Sequence, residues 1–209
     1  MTETGAPSLV VVSAGLSQPS ATRLLADRLA AATQGHLRSG GVSPELEVIE
    51  LRDHAQDLTN NLLTGFPSPK LQAAISAVIA ADGVIAVSPI FSASYSGLYK
   101  LFFDVLDRDA LAGKPVLLAA TAGSARHSLA LEHAFRPLFA YLGATTVPTA
   151  VFAAAEDWGV GDETADESLV DRIDRASREL AGAIQHPVAP RSVDPFDDPT
   201  PFEELIGRS

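Results

Sequence analysis

The chain has 209 residues, 15 basic and 26 acidic side chains, a net charge of −11 and 46% hydrophobic residues. That composition can bury the core of one domain, and its acidity leaves no electrostatic footprint for nucleic acid or an anionic membrane. Zero cysteines exclude disulfides, thiolate nucleophiles, thiolate zinc sites and iron–sulfur clusters.

Met1 to Ser8 is short and polar without a basic n-region, so no secretion signal is expected. Leu9-Val10-Val11-Val12 is a continuous apolar run and predicts a strand covered on both faces. After a Ser/Gly/Pro-rich turn, Ala21 to Ala32 reads as a helix with Leu24, Leu25 and Leu29 facing inward. Leu46 to Leu51 alternates more, as a strand nearer an edge does. Ser68-Pro69 supplies an N-cap and a first-turn proline for a helix to about Ala81. Val84 to Val87 predicts a third strand, ended by Ser88-Pro89. Leu98 to Leu106 reads as a helix and Pro115 to Ala120 as a fourth strand. A helix over Leu129 to Leu142 contains Pro137, which lacks an N–H, so the His133 carbonyl loses its helical partner. A π-bulge is one way to absorb that defect. Thr145 to Ala153 carries a fifth strand and Ser168 to Ile184 a last amphipathic helix.

Strands alternating with helices specify an α/β fold with a doubly wound, five-stranded parallel sheet. The right-handed crossover rule leaves a flavodoxin-like order, 2-1-3-4-5, as the expected topology. The domain is expected to span 1–185. From His186 to Ser209, five prolines and five acids mark an irregular acidic tail. No apolar run approaches the roughly 20 residues of a membrane helix, so a soluble, cytoplasmic protein is expected.

In such a sheet, ligands bind outside the carboxyl ends of the strands, where the strand order reverses. That singles out Ser13 to Thr22, Ser88 to Gly97 and Thr121 to Ser128, all rich in small and hydroxyl residues. The first loop leads into a helix N-terminus that favours an anion, with Ser17, Ser20 and Thr22 as further donors. Neutral donors without a lysine suit a monophosphate, although the same side chains can serve simply as helix caps. In the second loop, Pro89, Phe91 and Tyr95 offer apolar surface to a flat ring or to the core. In the third, Ala122 and Gly123 permit close backbone approach, and His127 could touch a ligand or stand as a solvated loop histidine. Dinucleotide, triphosphatase and serine-hydrolase signatures are absent. The five histidines show no metal-ligand spacing, so no metal site is expected. A binding edge without an obvious acid, base or nucleophile points to a cofactor that carries the reaction.

Pro89-Ile90-Phe91-Ser92-Ala93-Ser94-Tyr95-Ser96-Gly97-Leu98-Tyr99-Lys100, followed by Phe103-Asp104, resembles the P-x-Y-x-x-S-x-S-G-x-L-K-x-x-x-D segment of NAD(P)H-dependent FMN reductases. Thr121-Ala122-Gly123-Ser124-Ala125-Arg126-His127 is similar to that family's T-G-G-x-x-x-H loop. The likeness covers about residues 8 to 155 and is nearest to reductases of two-component alkanesulfonate monooxygenase systems.

The resemblance implies a flavodoxin-like NAD(P)H:FMN oxidoreductase that feeds reduced flavin to a flavin-dependent monooxygenase. Ser13, Ser17, Ser20, Ala21 and Thr22 would surround the FMN phosphate. Pro89, Ile90, Phe91 and Ser92 would meet the isoalloxazine, with Thr121, Ala122, Gly123 and Ser124 along its other edge. Hydride would pass directly from nicotinamide to flavin, with no catalytic side chain. Gly15 and Ser17 stand near the serine and arginine of the family's G-S-x-R; the missing cation suits an enzyme that releases its flavin. Phe91 stands where tyrosine is common. A quinone or azo reductase and a flavodoxin-type electron carrier are the alternatives within this fold. A homodimer or homotetramer is expected, paired through the helices bearing Phe102, Phe103 and Phe135, with His133 near the contact. Arg126 and Arg52 both stand where a nucleotide 2′-phosphate could lie.

Overall fold

A computed structural model describes residues 6–158 and 168–187. In chain order its elements are β1 (Ser8–Ser13), α1 (Ala21–Ser39), β2 (Glu45–Glu50), α2 (Ala55–Thr64), α3 (Pro69–Ala80), β3 (Gly83–Phe91), β4 (Ser94–Tyr95), α4 (Gly97–Asp104), β5 (Pro115–Ala122), α5 (Arg136–Tyr141), β6 (Thr145–Thr146), β7 (Val151–Ala154) and α6 (Leu169–Gln185). The expected acidic tail lies, from 188 onward, outside the described residues.

The sheet runs β2-β1-β3-β5-β6, with β7 also paired to β5 and β4 antiparallel to the end of β3. Along its parallel part this is the expected flavodoxin-like 2-1-3-4-5 order, with the fifth position split. Thr145 pairs with Pro115 at the start of β5 and Val151 with Ala119 near its end. Pro148 lies between them, and a residue without an N–H interrupts a ladder. β2 is the edge strand, and its first half is exposed.

Alternation along the central strands builds two cores. Val10, Val12, Val84, Ala86, Val116 and Leu118 join a cluster with Leu71, Phe103 and Phe139. Their neighbours Leu9, Val11, Ile85, Val87, Leu117 and Ala119 pack with Leu25, Leu29 and Leu180 on the other side. Successive side chains point to opposite faces, so a strand covered twice must be apolar throughout. Each large side chain so buried contributes about 1.5–3 kcal/mol.

Several elements depart from the sequence reading. Helix α1 continues past Ala32 to Ser39, because Leu37 is buried and Thr33 returns its hydroxyl to the Leu29 carbonyl at 2.8 Å. Leu24 faces solvent, while Leu25 and Leu29 are fully buried. Strand β3 does not stop at Ser88-Pro89. β1 stops pairing at Val87, so on that side Pro89 forfeits no ladder bond. Helix α2 and the strand β4 were not expected at all. The defect at Pro137 takes the form of a π turn over Leu131–Phe135, closed by the Arg136 N–H on the Leu131 carbonyl. Phe102, Phe103 and Phe135, expected at a subunit contact, are core side chains at most 1% exposed. Phe103 and Phe135 meet the rings of Tyr95, Tyr99 and Phe139, and Phe102 that of Phe103, at centroid separations of 4.7–5.4 Å.

His54 closes the short helical turn that feeds α2 and is 8% exposed, with its Nδ1 unbonded. Burial, aided by the nearby Lys70 ammonium, holds its imidazole below the ordinary value and outweighs Asp57 and Asp53. Above the unfolded value of about 6.5 both states are neutral and the group costs nothing. As pH falls below it, the unfolded chain takes up a proton that the folded one resists, so stability is lost. Urea midpoints at pH 7.5 and pH 5.5 should show this decline in the parent and a shallower one in His54→Leu. Equal declines in both would remove His54 as its source.

Candidate functional site

The parallel register brings the carboxyl ends of β1, β3 and β5 to one edge, and a cavity of about 530 Å3 opens there. Its floor is the loop from β1 into α1, contributing Leu16, Ser17, Ser20, Ala21 and Thr22. Pro89, Ile90 and Phe91 form one wall, and Thr121, Ala122 and Gly123 another. Ala155 and Trp158, after β7, complete the rim.

Each loop is fixed by contacts that its sequence supplies. Ser20 caps α1, its hydroxyl accepting from the Arg23 N–H at 3.2 Å. The N–H groups of Ala21 and Thr22 head the helix with no carbonyl one turn back to bond. Gly15 lets the loop fold onto this cap, because a Cβ there would lie 2.1 Å from Ser20 Oγ and 3.2 Å from Thr22 Cβ. The buried hydroxyls of Thr22 and Thr121 share a hydrogen bond of 2.8 Å, tying the first loop to the third. Ser88, also buried, accepts from the Ser96 N–H and donates to the Pro89 carbonyl, both at 2.9 Å. That clamp sets the base of the β3–β4 hairpin. At the tip, Ser92 and Ala93 both take positive φ, 49° and 65°. Two such residues are what a tight two-residue hairpin requires, at a cost of about 1–2 kcal/mol each without glycine. Trp158 is steadied by Arg28, whose guanidinium lies 5.0 Å from its ring. Its turn is held by Asp157, which accepts from the Ala154 N–H and pairs with Arg172, both at 2.6 Å.

Ten of the residues singled out from the sequence therefore line one cavity: Ser17, Ser20, Ala21, Thr22, Pro89, Ile90, Phe91, Thr121, Ala122 and Gly123. Four do not. Ser13 is 1% exposed within β1, between β2 and β3, and its hydroxyl has no partner. Ser92 sits exposed at the hairpin tip, and Ser124 precedes the short helical turn Ala125–His127. His127 borders a separate cavity. Leu16 lies in the first expected loop without having been named a contact, and Ala155 and Trp158 were not expected. The rule that ligands meet the carboxyl ends of strands would have flagged the last two, since both follow the fifth strand position.

Among the described residues, no side chain lining the cavity is ionisable. The charges near its mouth are matched: Glu50 binds Arg52 at 2.7 Å and also pairs with Arg23, which holds Asp27 at 2.8 Å. The Arg23 guanidinium is raised above its ordinary value chiefly by its hydrogen bond to Asp27. Hydroxyls and helix amides at one end, with apolar and aromatic walls at the other, fit a phosphorylated molecule bearing a flat ring.

Residues 7–159 match the family model described as NADPH-dependent FMN reductase. The chain is 39% identical over 173 residues to the NADH-dependent FMN reductase SfnF of Pseudomonas fluorescens, covering 83% of this chain and 89% of that one. It is 40% identical over 152 residues to an FMN reductase (NADPH) of Pseudomonas aeruginosa, covering 72% and 78%. Among solved structures, an oxidoreductase from Corynebacterium diphtheriae superposes with a TM-score of 0.82 at 47% identity, covering 86% of this chain and 97% of that one. Among the described residues, no helix is long and apolar enough to cross a membrane.

Proposed function

This chain belongs to the NADPH-dependent FMN reductase family, and we propose that it reduces FMN and passes the reduced flavin to a separate flavin-dependent monooxygenase in the cytoplasm. It is an NAD(P)H:FMN oxidoreductase, with FMN and NAD(P)H as its cofactors. One observation carries the site assignment. The cavity at the sheet edge joins a hydroxyl-lined helix N-terminus to apolar walls, and among the described residues no ionisable side chain lines it.

The residues fit FMN. Ser17, Ser20 and the amides heading α1 would hold the phosphate, where the helix dipole favours an anion. Ile90, Phe91 and Trp158 would cover the isoalloxazine, and the backbone of Thr121 to Gly123 would meet its edge. When bound, FMN supplies the two-electron centre that accepts hydride from the nicotinamide. The protein's part is to orient both rings, with the hydride passing directly between them. A phosphate held without a cationic side chain favours release, which a donor of reduced flavin requires. A homo-oligomer belongs to the same reading. Its support is the exposed apolar Leu62, Leu63 and Phe66 around the end of α2, since the three buried phenylalanines are unavailable for it.

Oxidation of NADH or NADPH should proceed with free FMN as the acceptor. A flavodoxin-type carrier would show almost no turnover, and a quinone reductase would need a quinone. Ser20→Ala should weaken FMN binding by about 1–3 kcal/mol, and riboflavin should bind less tightly than FMN to the parent. Calorimetry giving equal affinities for riboflavin and FMN would argue against a phosphate at α1.

A further inference from the structure

Kinship with reductases named for NADH and for NADPH leaves the nucleotide open, and the structure holds a second feature that bears on it. Two cavities share one pair of loops. The first is bordered by Phe91 and Gly123; the second, of about 300 Å3, by Ala93 and Arg126 from the same hairpin and the same loop. Gly123 and Arg126 are separated by at most about 10 Å of extended chain, a span that a dinucleotide bridges. The strained tip of that hairpin, Ser92 and Ala93, follows Phe91 of the first cavity and contributes Ala93 to the second.

The second cavity presents one guanidinium. Arg126, His127 and His133 line it, and among the described residues no acid does. Glu132 pairs with Arg136 at 2.6 Å, while the Glu156 carboxylate lies against the same loop, accepting from the Ala125 N–H at 3.2 Å without pairing Arg126. Arg126 is exposed and makes no ion pair among the described residues. Arg52, the other arginine placed to meet a nucleotide, is held by Glu50 at 2.7 Å and Asp53 at 3.7 Å. Its guanidinium also donates to the Ser17 carbonyl at 3.4 Å. A guanidinium already shared by two carboxylates offers little net charge to a phosphate, whereas an unshared one presents its whole planar fork.

We propose that this second cavity binds the 2′-phosphate of NADPH, with Arg126 as its principal cation and His127 and His133 as flanking ring N–H donors. The assignment rests on the reading that a pyridine nucleotide reduces flavin in the first cavity. It makes Arg126 a specificity-determining residue and NADPH the preferred donor. NADH offers a hydroxyl at the same position and forgoes the charged contact.

The test compares the parent, Arg126→Ala, Arg126→Lys and Arg52→Ala. Calorimetry with adenosine 2′,5′-bisphosphate and 5′-AMP reads the subsite without turnover, and steady-state kinetics with free FMN give kcat/KM for NADPH and NADH. The parent should bind the bisphosphate more tightly than 5′-AMP. Arg126→Ala should erase that preference and lower the NADPH-to-NADH ratio of kcat/KM roughly tenfold to a hundredfold. Arg126→Lys, keeping charge without the fork, should fall between, and Arg52→Ala should retain the preference. The proposal is overturned if Arg126→Ala leaves the ratio unchanged or if Arg52→Ala is the variant that erases it. A parent that oxidises neither nucleotide with free FMN would instead overturn the reductase reading, while the bisphosphate titration still reports on the subsite.

Discussion

Phe135→Ala should lower the unfolding free energy by about 3–5 kcal/mol, the range for deleting a fully buried aromatic ring. Phe135 is 0% exposed and closes the π turn, with its ring 5.4 Å from Tyr95 and 5.3 Å from Tyr99. The surroundings cannot collapse easily. Tyr99 is itself wedged among Phe103, Phe139 and Tyr95, and its buried hydroxyl has no partner. Desolvation pushes that phenol well above its ordinary value, so it stays neutral. The loss should reach the site as well, because Tyr95 pairs with Ile90 across the hairpin that forms one wall of the cavity. Chemical denaturation measures the effect; a change below about 1 kcal/mol would mean that Phe135 is not the keystone of this cluster.

Gly15→Val should weaken FMN binding about a hundredfold or more, roughly 3 kcal/mol. The cause is space rather than backbone conformation. A Cβ at Gly15 meets Ser20 Oγ at 2.1 Å and the Cβ atoms of Ser20 and Thr22 at 3.2 Å. Ser20 cannot retreat without leaving the Arg23 N–H, an N-cap bond worth about 1 kcal/mol. Thr22 cannot retreat without breaking its 2.8 Å bond to Thr121. A branched side chain therefore spreads the loop between β1 and α1 and detaches it from the third loop. Calorimetry with FMN, beside a thermal melt of the free protein, separates the two consequences. A valine variant that binds FMN like the parent would remove this loop from the site.

The sequence displayed whatever depends on neighbours along the chain. Leu9 to Val12 and Val84 to Val87 are apolar without interruption because helices cover both faces, and that pattern is local. Ser20, Ser68 and Ser168 announce helix starts because a cap bonds an N–H within its own first turn. Pro137 announced a backbone defect because it removes a donor at a known offset, and the π turn lies there. The three loops at the carboxyl edge followed from strand order, which the crossover rule restricts.

Tertiary structure decided what depends on distant partners. Helix α2 buries only Leu58 and Asn61, so its pattern is too sparse to read, and its packing alone reveals it. The two residues of β4 form a strand only by pairing with Ile90 and Phe91. Phe102, Phe103 and Phe135 would look the same in sequence whether they faced a second subunit or the core; the sheet buries them in their own chain. Trp158 reaches the cavity because the fifth strand position ends beside β5. Arg52 and Arg126 are chemically identical side chains, and only the fold sets Glu50 and Asp53 against one of them. Periodicity and capping act over one or two turns, so the sequence carries them whole. Burial and charge pairing act between residues far apart in the chain, and their outcome exists only once the chain has folded.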